Sequence, residues 1–247
     1  MSGTLAIARR ELAALFARPR AWILGGAFAL LGGYLFYTEV AFFEIFGGAR
    51  LATGLWPFVF LDLRLVAFFV LPLLTMRLVA EERQLGTFEL LCSLPVDDRA
   101  IVGGKFLAAF IAFLAMVAAT LPGPVALWVL RPFATGPVLA GYLGLVLLGA
   151  AFLACGVAAS AVSQSQMVAA MLTYGALALC WYASWNEAAF SERLTPLVRA
   201  LSLFDHYVGF AQGVIDSRSV VYFLGVTLVL LVVAVRALGA RAWRGLE

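Results

Sequence analysis

Leu143-Gly144-Leu145-Val146-Leu147-Leu148-Gly149-Ala150-Ala151-Phe152-Leu153-Ala154 is the centre of an uncharged run that extends from Val138 to Val162. About 20 predominantly apolar residues, rising about 1.5 Å each, cross the roughly 30 Å hydrocarbon core of a bilayer. This run is long enough to do so. Five further stretches read the same way: Trp22 to Phe43, Pro57 to Leu78, Ile101 to Leu130, Met167 to Trp185 and Val220 to Leu238. Pro122-Gly123-Pro124 breaks the far end of the third of the six in chain order. All are too long and too uniformly apolar for barrel strands, which are short and alternate. In lipid each segment must satisfy its own backbone hydrogen bonds, so the expected fold is an all-α integral membrane protein with six transmembrane helices.

Composition agrees. Charged residues make up 13% of the 247, about half the share of a soluble domain, and the mean hydropathy is +1.01. No polar segment is long enough for a nucleotide-hydrolysing domain, and residues 1–247 read as one transmembrane domain. Gly103-Gly104-Lys105 is not a phosphate loop, because Arg99 stands where its first glycine would be and Phe106 replaces the Ser or Thr. The two glycines read as a helix-start or packing feature. Cys92, Cys155 and Cys180 have neither disulfide-like nor metal-like spacing, so no metal or other cofactor is expected. The net charge of +3 reflects basic flanks beside a membrane, with nothing to suggest nucleic acid as a partner.

Orientation follows from Lys and Arg, which concentrate in cytoplasmic segments. With the N-terminus inside, inner segments hold eleven of them and outer segments five, so both termini are expected in the cytoplasm. Residues 2–18 read as an amphipathic interfacial helix, with Leu5, Ala8, Leu12, Leu15 and Phe16 on one side, or as a frayed extension. The fourth span carries a small-residue face through Ala140, Gly144, Ala151, Cys155 and Ala159, with Gly141 and Gly156 beside it, which suits close helix packing. Residues 186–219 are amphipathic yet too short in apolar content to span. They suit either re-entrant helices in the outer leaflet or a hairpin capping the bundle.

The most polar part of the chain lies between spans two and three. Met76-Arg77-Leu78-Val79-Ala80-Glu81-Glu82-Arg83-Gln84-Leu85-Gly86-Thr87-Phe88-Glu89-Leu90-Leu91 mixes both charge signs beside lipid, where such groups are costly unless they meet water or a partner. Thr87 can cap a short helix with Glu89 in its first turn; Phe88, Leu90, Leu91 and Leu94 give that helix an apolar surface, and Pro95 stops it. Asp97 and Asp98 offer caps for the third span. The segment reads as a cytoplasmic docking helix, and its alternative is a solvated loop.

This run, continued by Arg99-Ala100-Ile101-Val102-Gly103-Gly104-Lys105-Phe106-Leu107, resembles the permease subunits of type-2 ABC exporters. Ser202-Leu203-Phe204-Asp205-His206-Tyr207, Gly213-Val214-Ile215-Asp216 and Val221-Tyr222-Phe223-Leu224 are similar to the gliding-motility-associated branch, from which Ser219 departs where an acid is expected. The resemblance implies a coupling helix at residues 81–95 that inserts into a separate ABC ATPase subunit, with Glu81, Glu82, Arg83, Gly86, Thr87, Phe88, Glu89, Leu90, Leu91 and Pro95 as its contacts. It implies a second docking turn at Ser163-Gln164-Ser165-Gln166 and outer re-entrant helices at 186–219. A second permease copy or related chain and an auxiliary membrane protein are the further partners it implies, in the bilayer of a bacterial inner membrane. The function expected is ATP-driven export by a chain that is not itself an enzyme.

Two residues outside this region are candidates for a substrate path. Arg64 lies about two turns inside a span and is expected to snorkel to the outer face. His206 is the sole histidine and is expected to cap or brace the outer hairpin. The alternatives are a scaffold that transmits ATPase motion without moving a solute, a copper-centre maturation permease, and an intramembrane protease. For the last, the Glu81-Glu82 pair has the wrong spacing to Arg83 and no Gly-x-Ser-x-Gly elbow exists.

Overall fold

The computed structural model describes residues 2–50, 54–84, 86, 97–185 and 202–242. Ten helices are described: α1 (Ser2–Ala17), α2 (Pro19–Arg50), α3 (Trp56–Thr75), α4 (Ala80–Gln84), α5 (Asp98–Ala118), α6 (Pro122–Leu130), α7 (Gly136–Val162), α8 (Gln166–Trp185), α9 (Leu203–Ala211) and α10 (Ser217–Ala242). The chain is an all-α membrane protein. Five stretches are long and apolar enough to cross a bilayer: Pro19–Ile45, Trp56–Glu82, Asp98–Leu130, Gly136–Val162 and Ser217–Gly239. The remaining expected span is α8, whose apolar part Gln166–Trp181 is shorter than these five.

The breaks fall where backbone chemistry puts them. Pro122 opens α6 at its first helical position, where its missing N–H costs nothing. The long third span therefore divides at residues 119–121, as Pro122-Gly123-Pro124 predicts. Gly86 follows α4 with φ +70°, a left-handed conformation that ends helices and penalises any side chain.

Helix α7 is the hub, packed against α3, α5, α8, α9 and α10. Its small residues make this possible. A Cβ on Gly141 would collide with Phe60, on Gly144 with Phe210, on Gly149 with Phe113 and on Gly156 with Thr75. Backbone-to-ring contact of this kind supplies dispersion attraction where lipid offers no hydrophobic driving force. The small-residue face of the fourth span is thus a packing face.

Helix α1 does not stand alone as an amphipathic surface helix. It lies along α5, and Gly104 is the reason: a Cβ there would sit 2.7 Å from Ile7 Cγ2 and 3.0 Å from the Thr4 carbonyl oxygen. Gly103 and Gly104 are packing residues, while Leu5 is left 67% exposed. Charges sort to two ends. The α1–α5 end is basic, and the opposite end holds the exposed Arg131–Glu44 pair at 3.2 Å.

Candidate functional site

The basic end is built around Lys105. It falls on the buried stripe of α5, four residues after Ile101 and three before Ala108, and is 1% exposed. A buried ammonium needs a carboxylate. Lys105 Nζ has two, Glu82 Oε1 at 2.8 Å and Glu11 Oε1 at 3.4 Å. Arg10 approaches the same two carboxylates, at 3.0 Å from Glu11 and 3.7 Å from Glu82. Arg18 binds Glu81 at 2.8 Å. Three separate segments, α1, α4 and α5, are therefore joined by one ionic junction. The half-exposed arginines contribute little individually, about 0–1 kcal/mol each. The Lys105 contacts matter more, because their removal strands charge in a buried place.

A second joint holds α4 from the other side. Ser160, fully buried on α7, accepts hydrogen bonds from the backbone N–H groups of Val79 and Ala80, both at 3.1 Å, and donates to the Met76 carbonyl at 3.3 Å. It thus satisfies donors that open α4 and have no partner within that helix. Helix α4 also touches α8, whose first residue is Gln166.

The opposite end places Arg64 and His206 each against its own aromatic partners. Arg64 is buried at 8% exposure, with its guanidinium carbon 4.0 Å from the Trp181 ring centre and 4.4 Å from that of Phe204. Its Nε and Nη1 have no hydrogen-bond partner among the described residues. The expected snorkelling to the outer face is corrected: α8 and α9 close over the side chain, and ring faces replace water as its cation partner. Ser202 Oγ accepts from the Asp205 N–H at 3.0 Å and caps α9. His206 Nδ1 lies 2.8 Å from the Ser202 carbonyl, and its ring stacks on Tyr222 at 4.0 Å. Tyr207, fully buried, donates to the Phe60 carbonyl at 2.7 Å, so α9 is pinned into the bundle.

A family model for the ABC-2 family transporter protein matches residues 5–243. The chain belongs to the ABC-2 transporter family. No curated protein matches it. As an ABC-2 protein it is the membrane permease component of an ABC transporter, a family of membrane subunits and not of enzymes, and ABC ATPase subunits are the partners such a component implies.

In this ABC-2 permease the predicted coupling residues divide. Glu81 and Glu82 both lie on α4: Glu81 pairs with Arg18, just after α1, and Glu82 with Arg10 of α1 and Lys105 of α5. Arg83 is the next residue of α4, and Gly86 makes the turn after it. Thr87, Phe88, Glu89, Leu90, Leu91 and Pro95 lie outside the described residues. So do residues 186–201 of the expected outer hairpin, leaving α9 as its described helix. Asp97 occupies the position before α5 with extended backbone, but its side chain makes no capping bond. In the second predicted turn Ser163 is buried and its hydroxyl bonds the Ala159 carbonyl at 2.8 Å, while Gln164 is exposed.

Sequence reasoning missed Ser160 and the structural role of Lys105. Lys105 had a signal, a lysine on the apolar stripe of a helix. Ser160 had only its place four residues after Gly156 on the close-packed face.

Proposed function

We propose that this ABC-2 permease is an export subunit that receives mechanical work from a separate ATP-hydrolysing subunit at its basic end. In this reading that end and both termini face the cytoplasm of a bacterial inner membrane. The ATPase engages the segment that follows Gly86, with the exposed part of the turn at Ser163-Gln164-Ser165-Gln166 as a second contact. Glu81 and Glu82 serve as the inner anchor of the lever and not as its docking surface. Two copies, or this chain and a related one, form the route between them, with Arg64 and His206 at its outer part. The gliding-motility-associated branch is the one proposed, on residues 202–207, 213–216 and 221–224.

One observation supports the reading above the others. Helix α4 is tied by ion pairs of Glu82 to Arg10 of α1 and Lys105 of α5 and by Ser160 to α7. A load on the chain after Gly86 is thereby delivered to three helices at once.

The test is site-specific photocrosslinking in native membranes. Crosslinkers at Thr87 and Gln164 should capture an ATPase subunit, and one at Arg131 should not. Capture from Arg131 alone, or from none of the three positions, overturns the proposal.

A further inference from the structure

A cavity of about 500 Å³ opens among α1, the start of α2, the end of α3, α4 and α5. Its size is that of a small-molecule site. Its walls are of two kinds. One is apolar and includes Leu15, Ile23, Leu24, Leu73 and Leu74. The other is charged, with five cations, Arg10, Arg18, Arg20, Arg77 and Lys105, against three carboxylates, Glu11, Glu81 and Glu82.

The charges do not balance. All three carboxylates are engaged by Arg10, Arg18 and Lys105. Arg20 and Arg77 have no ion pair among the described residues, so the cavity wall carries two uncompensated guanidinium groups. Guanidinium is the group best shaped to hold a phosphate through paired N–H donors. The apolar wall excludes a purely hydrophilic anion as the natural occupant. Ile23 is 66% exposed and Leu73 37% exposed, so this wall continues onto the outer, lipid-facing surface of α2 and α3. Trp22, 65% exposed, donates from Nε1 to the Phe16 carbonyl at 2.9 Å beside the cavity, and an exposed tryptophan at a span end marks headgroup depth.

We infer that this cavity binds an anionic phospholipid from the leaflet at the basic end. Arg20 and Arg77 hold its phosphodiester, and its acyl chains run down the Ile23–Leu73 wall. Arg18 and the Glu81–Glu82 pair border the same space, so the lipid adjoins the ionic junction and adds negative charge where cations are in excess. The inference needs no ATPase and stands independently of the proposed function, apart from the name of the leaflet.

The experiment is native mass spectrometry of the full-length chain released from detergent with phosphatidylglycerol, compared with phosphatidylcholine. The double variant R20Q/R77Q loses two phosphate contacts, and its phosphatidylglycerol affinity should fall about thirtyfold. R99Q/R236Q removes the same charge from a different crevice at the same end, between α5 and α10, and should leave binding unchanged. R20K/R77K keeps the charge but not the paired donors and should recover part of the binding lost in R20Q/R77Q, which separates ligand loss from misfolding. Millimolar inorganic phosphate should not displace the lipid. Equal binding of the two lipids, equal loss in both Gln double variants, or displacement by phosphate would each overturn the inference.

Discussion

Lys105 Nζ lies 2.8 Å from Glu82 Oε1 across an interface between two helices, and the lysine is almost wholly buried. Lys105→Met should therefore leave Glu82 and Glu11 close together with no buried cation. Removing one member of a buried pair costs about 3–5 kcal/mol. Because the carboxylates keep 13–20% of their side-chain exposure, the lower end applies. A melting-temperature fall of roughly 6 °C or more in detergent is expected. The double variant Lys105→Met, Glu82→Met should recover part of the loss. A double variant no more stable than the single one would refute the pairing.

Ser160→Ala strands two buried backbone donors at the start of α4, at about 1–3 kcal/mol for each. A drop in thermal stability should be accompanied by faster amide exchange at Val79 and Ala80. Thr173→Val is the matched control. Its hydroxyl bonds the Ala169 carbonyl of its own helix, so the change strands no backbone donor and should cost less than Ser160→Ala. If the two variants behave alike, Ser160 is not a joint.

Gly104→Val puts a branched side chain into the 2.7 Å gap to Ile7 and against the Thr4 backbone. Helix α1 must lift from α5. Thr4 touches Gly103, so an engineered Thr4→Cys, Gly103→Cys pair should crosslink readily in the parent and poorly when Gly104→Val is added. Undiminished crosslinking would show that α1 is seated elsewhere.

Arg64→Met replaces a buried cation by an apolar chain of similar reach. The swap removes a buried cation whose Nε and Nη1 lack hydrogen-bond partners among the described residues, and with it a desolvation cost. The melting temperature should hold or rise, while complementation of a strain lacking the chain should fail. Failure of both, with loss of folded protein, would make Arg64 a structural residue. Full complementation would remove it from the substrate path.

Much of the architecture is written in local signals. Pro122 marks its own helix start, and the uncharged run from Val138 to Val162 marks α7. Gly104 is legible as a packing glycine because no phosphate-loop context surrounds it. What stays hidden depends on distant partners. The environment of Arg64 is set by Trp181 and Phe204, more than a hundred positions away, so a local estimate favours escape to water. The ion pairs that join the acidic pair Glu81-Glu82 to Arg10, Arg18 and Lys105 are likewise hidden, because those partners lie far away in the sequence. Ser160 is silent because its partners are backbone amides, which every residue carries.

The seat that Gly104 offers to α1 also sets a schedule for biosynthesis. Ile7 leaves the ribosome nearly a hundred residues before the helix that receives it, which at about 5–20 residues per second is on the order of 5–20 s. Through that interval Glu11 has its neighbour Arg10 but not Lys105, and α1 lacks the face of α5 on which it docks. Closure of the amino-terminal end is thus a late assembly event, and a chain stalled before the third span would display an unlatched leading helix to quality-control proteases.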